Sequence, residues 1–556
     1  MILSFGSIII SILAFVFALG LIVVIHEGGH FFFARKANIL CREYAFGMGP
    51  LLWKKKKGET LYSIRALPIG GFCAIAGEEV EDDPLKELKQ VKLIIKDGKV
   101  VKIICDEKNN LFDTIKSYEI VSYDLFDALD TGYLFIKVKD EEGKEIEFPV
   151  DPQAYYVFTK PVKNNKISNE KKLKKYTEEI QIAPHNRTLN AKTKRQRAMV
   201  MFGGPLMNFL LAIVVFFFAG LLLGFPNYSS TKLSEISEGS PAYIAGLKEG
   251  DKIIELTSGD LTSGEINDWH QLSDFMDKYV TSLTVTDTIT VKYVRDNQEF
   301  TTNVKPMVVI YSISMIQDVN SEDVKIAELS DQSLAYKGGL RTGDIILAIK
   351  YSDSEVYTTV NSWKDVYNIF TGNREGKLMK IKVLRGTETV ECEVDPYSKE
   401  VFDKTQSVPI TNIIMGVSPQ TKFSLGKSLI YSITELFASL KNMVNTLGML
   451  FFSSEVGIKD LSGPVGIFSL TSQAASEGFG SLLNFIGFLS VNVGFMNLLP
   501  IPALDGGRLV FVAYEAITKK RPSEKVQTIL ITATMLLLIG LIIFVSFNDV
   551  LRLIRG

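Results

Sequence analysis

The stretch Val24-Ile25-His26-Glu27-Gly28-Gly29-His30-Phe31 sets two imidazoles and a carboxylate inside a run, Ile8 to Ala34, that is otherwise apolar. As a helix, a run of this length crosses about 30 Å of hydrocarbon. On that helix His26 and His30 lie on one face, with Cβ atoms about 6 Å apart, close enough to share one ion. Glu27 then sits beside the ion rather than on it. His-Glu-x-x-His is the spacing with which two histidines hold Zn²⁺ and the glutamate takes a proton from water on the metal. The bland reading is a chance match, or a satisfied polar pair within a helical bundle. Against it, the chain has only four histidines and two of them are here. An ionisable group inside a span also costs about 2 to 3 kcal/mol or more, so such groups mark function by default.

A cleaved signal peptide starts basic, whereas the first residues here carry no charge, and cleavage would discard the metal site, so the sequence predicts a retained span that ends at Arg35-Lys36. His26 lies nine residues before Arg35, which at 1.5 Å per residue puts it roughly 13 Å below that surface. Further apolar runs follow at Met199 to Phe225, Leu482 to Leu499 and Val526 to Phe547. Arg35, Lys36, Arg42 and Lys54 to Lys57 follow the first run, and Lys192, Lys194, Arg195 and Arg197 precede the second. The positive-inside rule therefore puts the intervening segment in the cytoplasm, the N-terminus outside and the histidines near the cytoplasmic face.

At 556 residues the chain exceeds what one hydrophobic core holds, so several domains are expected. A net charge of −2 implies no nucleic-acid partner. Cys41, Cys73, Cys105 and Cys392 show no paired spacing and read as free thiols. Leu61 to Phe72 reads as a strand closed by Pro68 and the Gly70-Gly71 pair, with the Gly-rich Ala45 to Pro50 as its candidate partner. A hairpin this apolar enters a bilayer only where protein shields its backbone. After Pro84 the sequence alternates charged and apolar residues for about a hundred positions, with one hairpin around Asp97-Gly98 and another over Leu134 to Val150. Its Lys-rich end, Lys160 to Lys175, reads as a solvated linker.

An internal repeat follows the second run. Gly239-Ser240-Pro241-Ala242-Tyr243-Ile244-Ala245-Gly246-Leu247-Lys248-Glu249-Gly250-Asp251 recurs as Asp331-Gln332-Ser333-Leu334-Ala335-Tyr336-Lys337-Gly338-Gly339-Leu340-Arg341-Thr342-Gly343-Asp344, and each copy precedes a tryptophan, Trp269 or Trp363, that opens a helix. The Ala-Gly-Leu-x-x-Gly-Asp-x-Ile pattern of the first copy resembles PDZ domains of the bacterial protease type, which either bind extended peptides or act as a lid or filter.

Ser424 to Phe452 carries Lys427, Glu435 and Lys441 through its length and reads as an amphipathic interfacial helix; Leu461 to Gly466 reads as a turn-rich connection. In Asn497-Leu498-Leu499-Pro500-Ile501-Pro502-Ala503-Leu504-Asp505-Gly506-Gly507-Arg508 two prolines break a membrane helix, which is tolerated only inside protein or beside a cavity. Asp505 is either a third zinc ligand or a cap of the next helix. If Ser424 to Phe452 lies on the surface, the third run crosses inward and Asp505 reaches the histidines' half of the membrane. Only that arrangement closes a metal site, and it leaves Lys519, Lys520 and Arg521 in the cytoplasm and the C-terminus outside.

Together, His26-Glu27-x-x-His30, Gly204-Pro205-Leu206-Met207-Asn208-Phe209, the repeat pair, Leu461-Ser462-Gly463-Pro464 and Asn497-x-x-Pro500-x-x-x-Leu504-Asp505-Gly506 resemble the bacterial PDZ-containing site-2 proteases. The resemblance covers nearly the whole chain in order, except about Leu85 to His185. It implies a multi-pass α-helical protein of the bacterial cell membrane with four transmembrane helices, a membrane-associated β-hairpin, a cytoplasmic β-rich insertion and two extracytoplasmic PDZ domains. The expected boundaries are 1–36 for the first transmembrane helix, 37–84 for the hairpin region, 85–190 for the insertion and 198–226 for the second helix. Then come PDZ domains at 230–310 and 311–405, the interfacial helix at 423–453, the third transmembrane segment at 481–518 and the fourth helix at 524–548. The resemblance further implies Zn²⁺ on His26, His30 and Asp505, Glu27 as general base and Asn497 on the substrate or its developing oxyanion. Gly28 and Gly29 fill the motif's variable positions. The expected substrates are membrane-spanning proteins, such as an anti-sigma factor trimmed outside or a leftover signal peptide, met within the lipid bilayer. The competing readings are a non-catalytic PDZ scaffold and a metal transporter; His185 and His270 are too isolated to favour transport.

Overall fold

The computed structural model describes residues 5–78, 83–105, 115–127, 131–140, 142–159, 177–282, 286–330, 333–398, 409–452 and 461–555. The linker expected at Lys160 to Lys175 lies outside them. The long helices are α1 (Phe5–Lys36), α2 (Lys194–Leu223), α3 (Leu425–Phe452), α4 (Pro464–Ser476), α5 (Phe479–Asn497), α6 (Asp505–Thr518) and α7 (Glu524–Arg555). Four of them, α1, α2, α5 and α7, are long and apolar enough to cross a membrane, with mean hydropathies of 3.3, 2.7, 1.5 and 2.8 in their best windows. The chain divides into two compact units, one made of Met1–Val215, Ile467–Gly478 and Leu482–Ile543, the other of Phe216–Gly466, Phe479–Ser481 and Phe544–Gly556.

In the first unit α1 stops where Asn38 turns left-handed at φ 55°. The Ile39 N–H donates to Ala34 O at 2.9 Å, and Arg35 and Lys36 complement the helix dipole. The chain returns as an antiparallel hairpin, β1 (Cys41–Lys57) and β2 (Thr60–Ile75), which pairs Ala45 with Phe72 and Trp53 with Ile64. Here the structure differs from the expected strand end at Pro68: β2 runs on to Ile75. Gly47, Gly49 and Gly70 adopt positive φ, and the pair bulges around the proline, which cannot donate to a ladder. The continuation lays Gly71 and Cys73 along α1. A cluster of Ala34, Ile39, Cys41, Cys73, Ile75, Leu189, Val200 and Met201 then packs hairpin, α1 and α2 together.

The insertion is a six-stranded sheet of β3 (Gln90–Lys96), β4 (Lys99–Ile104), β5 (Ser117–Asp124), β6 (Phe135–Lys139), β7 (Glu145–Thr159) and β8 (Thr177–Gln181), in the order β4-β3-β5-β6-β7-β8. Parallel pairing of β4 with β7 closes the sheet on itself around Val91, Leu93, Val100, Ile103, Ile136 and Val138. Asp97 and Gly98, both at positive φ, make the β3–β4 turn.

In the second unit the repeated sequence folds twice in the same way. The first copy pairs Leu261–Thr262, Lys252–Ser258, Ile289–Arg295 and Gln298–Val304 in that order; the second pairs Thr358–Thr359, Ile345–Tyr351, Met379–Arg385 and Glu388–Val394. Helices Trp269–Thr281 and Trp363–Gly372 start at capping boxes and bury their tryptophans. Each Gly-Asp turn is locked by an arginine at the end of the neighbouring strand. Arg295 reaches both carboxylate oxygens of buried Asp251 at 2.7 Å, and Arg385 reaches those of Asp344 at 2.8 and 2.7 Å. A third sheet of Ile326–Leu329, Met315–Gln317, Met307–Ile310 and Thr411–Ile414 completes the pair. Tyr431 of α3 packs on Phe216 and Phe225. The connection expected at Leu461 to Gly466 opens α4 at Pro464.

Candidate metal centre

Three segments of the first unit build this site. Helices α1 and α2 approach until backbone meets backbone at Gly29 and Gly203. A Cβ on Gly29 would lie 2.5 Å from the Gly203 carbonyl carbon, and one on Gly203 would lie 2.8 Å from Gly29 O. One residue on, a Cβ on Gly204 would stand 2.8 Å from His26 Nε2 and press on His30 Nε2. The bare Cα therefore leaves a cradle over both nitrogens. Gly29 is thus no free motif position, whereas Gly28 is: its Cβ would meet only Tyr44 Oη, at 3.5 Å.

Both imidazoles are buried and each turns its Nδ1 to α2. His30 Nδ1 lies 2.8 Å from Val200 O, and His26 Nδ1 lies 3.2 Å from the Asn208 side-chain amide. That leaves the two Nε2 atoms facing each other at 3.2 Å.

The third member arrives from the break between α5 and α6. Pro500 and Pro502 interrupt the helix, yet the backbone stays paired through Leu499 N to Met496 O at 3.1 Å, Ile501 N to Leu499 O at 2.7 Å and Leu504 N to Ile501 O at 2.8 Å. Any side chain on Gly506 or Gly507 would collide with the carbonyls of Leu498, Leu499 and Ile501. Asp505 opens α6 and its side chain caps nothing. Its Oδ2, buried with no hydrogen-bond partner, lies 3.3 Å from His26 Nε2 and 3.4 Å from His30 Nε2. Two ion pairs hold α6 in place: Arg197 of α2 with Glu515 at 2.6 Å, and Arg508 with Glu78 beyond β2.

His26, His30 and Asp505 form a group able to hold a metal ion. Tetrahedral zinc with bonds of about 2.0 to 2.1 Å sets its ligand atoms roughly 3.3 Å apart. The observed triangle has sides of 3.2, 3.3 and 3.4 Å. The buried, unpartnered carboxylate oxygen and two imidazole nitrogens are a donor set zinc accepts, so the residues fit the ion.

Glu27 lies against the hairpin, where a Cβ on Gly71 of β2 would stand 3.5 Å from its Cγ. Tyr44 ties the hairpin to the same turn by donating to Val24 O at 2.5 Å. Asn497 ends α5 half-buried, at the start of the break that carries Asp505, and is not one of the three side chains that meet there. The sequence reading met Gly204 and Asn208 only as members of a motif and gave them no role, and it passed over Gly203 and the two ion pairs. An asparagine within an apolar helix was the available signal for Asn208.

The model of peptidase family M50 matches residues 14–541. The zinc metalloprotease RasP of Shouchella clausii is 29% identical over 548 residues, 98% of this chain and 99% of its own length. The regulator of sigma-W protease RasP of Bacillus subtilis and the zinc metalloprotease RasP of Bacillus licheniformis show the same identity over the same shares.

Proposed function

Since the chain belongs to peptidase family M50 and is a zinc metalloprotease, we propose that it cuts membrane-spanning proteins within the bilayer, with His26, His30 and Asp505 as the zinc ligands. The observation that carries the ligand assignment is the near-equilateral triangle of 3.2 to 3.4 Å formed by Nε2, Nε2 and Oδ2 from three separate turns of backbone. Zinc, when bound, supplies the Lewis acidity that peptide hydrolysis needs at neutral pH. Glu27 takes the proton from the attacking water and passes it to the leaving amine. Asn497, at the helix end beside the break, offers its amide to the charge developing on the scissile carbonyl oxygen.

A helical substrate hides its carbonyls, so it must be drawn out before attack. Of the expected strand Leu61 to Leu67, residues Leu61 to Ile64 are already paired with β1 on both edges, so Arg65 to Leu67 are left to supply backbone partners for the extended peptide. A Bacillus relative is a regulator of sigma-W protease, which supports anti-sigma factors as one substrate class; remnant signal peptides are another. The repeat is a tandem PDZ pair outside the membrane that bars bulky, untrimmed ectodomains. Both termini lie on that side, α3 lies along the interface, and the site opens toward the cytoplasm of a bacterial cell.

The test uses purified protein in proteoliposomes with a single-pass reporter substrate. Glu27→Gln is expected to keep stoichiometric zinc and lose cleavage by about 10²-fold or more. Cleavage at the wild-type rate would remove Glu27 as the base, and a scaffold or transporter would leave the reporter intact in every variant.

A further inference from the structure

A histidine that ligates through Nε2 must carry its proton on Nδ1, and that proton needs an acceptor. His30 has one in Val200 O at 2.8 Å. For His26 the partner among the described residues is Asn208, whose amide stands 3.2 Å from Nδ1, fully buried. In the orientation recorded, the Asn208 NH₂ faces the ring and Oδ1 is left buried with no partner. That arrangement makes Nδ1 an acceptor, puts the proton on Nε2 and aims it at Asp505 Oδ2, 3.3 Å away. It suits a metal-free pair. Rotating the amide by half a turn exchanges Oδ1 for Nδ2, which are chemically alike in shape, and makes Asn208 the acceptor of Nδ1–H.

We propose that Asn208 is the positioning residue for His26, its side-chain carbonyl accepting Nδ1–H so that Nε2 presents a lone pair to zinc. The inference rests on the ligand reading above. An amide holds both a donor and an acceptor, so the site tolerates either tautomer and exchanges one for the other when metal enters. Ser490 of α5 donates to Asn208 O at 2.8 Å, and Gly494 leaves room for the Asn208 Cβ.

The experiment measures zinc affinity of the purified full chain by chelator competition, with the visible spectrum of the cobalt-loaded protein as a second readout. Neither depends on proteolysis. Asn208→Leu is expected to lose 10- to 100-fold in zinc affinity and to change the cobalt bands. Asn208→Asp, an acceptor at the same place, should keep affinity within a few-fold of the wild type. Ser490→Ala removes the tie to the backbone and leaves the amide, so its affinity should hold. If Asn208→Asp fails to fold, Asn208→Ala set against Ser490→Ala decides the same point. Leucine or alanine at 208 binding zinc as tightly as asparagine, or aspartate binding as poorly as leucine, would overturn the inference. His26→Ala separates the two claims. Unchanged zinc affinity there removes the ligand reading itself, while a loss there with none in Asn208→Leu removes only the role of Asn208.

Discussion

Gly28 and Gly29 are neighbours of one kind in one motif, and replacing each by alanine asks whether the site depends on how closely α1 and α2 meet. Helix propensity treats them alike, since alanine is favoured over glycine by about 0.8 to 1 kcal/mol at either. Sterics separates them. The alanine methyl at 28 meets Tyr44 Oη at 3.5 Å, an ordinary contact. At 29 it lies 2.5 Å from the Gly203 carbonyl carbon, and reaching the ordinary 3.4 Å moves the helices apart by roughly 0.9 Å. His30 Nδ1 to Val200 O would then open from 2.8 Å to about 3.7 Å, beyond hydrogen bonding. Asp505 follows α2 through Arg197 and Glu515, so its oxygen would leave His30 Nε2 by a similar amount, from 3.4 Å to about 4.3 Å. That is too wide for one zinc ion to bridge at its usual bond lengths. Overpacking of this kind costs about 1 to 3 kcal/mol, against the smaller gain in propensity. Gly29→Ala should therefore lower both the unfolding temperature and zinc affinity, the latter about tenfold or more, while Gly28→Ala keeps both. Chelator competition and thermal unfolding in detergent read the two quantities. Equal zinc affinity in the two variants would refute the argument that this helix contact sets the ligand spacing.

Two other perturbations test the surrounding structure. Asp251→Ala strips a buried carboxylate from Arg295 and from the Lys248 N–H it accepts at 2.8 Å, so residues 246–304 should lose about 2 to 4 kcal/mol of local stability. Asp344→Ala should cost less, because Arg385 is 38% exposed where Arg295 is 25% exposed; hydrogen exchange over each repeat reads the difference. Glu59 at the hairpin turn is held below its ordinary carboxylate range by the Arg187 guanidinium, which donates at 2.5 and 2.7 Å. A lowered acid contributes its full stability above about pH 4.5 and loses it as the pH falls through the depressed value. Protection at residues 58–61 and 185–189, taken relative to the intrinsic exchange rate at each pH, should therefore fall on acidification, and Glu59→Gln should remove that dependence.

Much of the fold is legible where a local pattern decides it. Apolar length marks α1, α2, α5 and α7, Asp97-Gly98 marks a tight turn, and the doubled Gly-Asp pattern marks two like-folded halves. What resists reading is decided by distant partners. Gly463-Pro464 looks like a turn, yet proline suits the first turn of a helix. What makes it one is Asp549 of α7, whose Oδ2 accepts from Gly463 N and Gly466 N at 2.9 Å each. No feature within 461–476 names that cap. The passage of β2 through Pro68 is similar, because it depends on the bulges that Gly47 and Gly49 make in the opposite strand.

The same division runs through the site. Motif spacing singles out His26 and His30, while Asp505, which by itself reads equally well as a helix cap, enters through topology and resemblance. The distances among them follow from residues with no chemistry of their own. Between helices in lipid there is no hydrophobic force to speak of, so close backbone approach and a few buried polar ties must fix the crossing. Gly29 against Gly203 sets how near α1 comes to α2, and Gly204 keeps the space above both imidazoles clear. Gly506 and Gly507 let the broken backbone fold under Asp505, and Arg197 with Glu515 joins that segment to α2. A sequence reading sees these glycines as weak points in a helix. The geometry gives them the opposite role, since each lies where a single methyl group would push a candidate ligand atom out of the 3.2 to 3.4 Å triangle or displace the backbone that carries it.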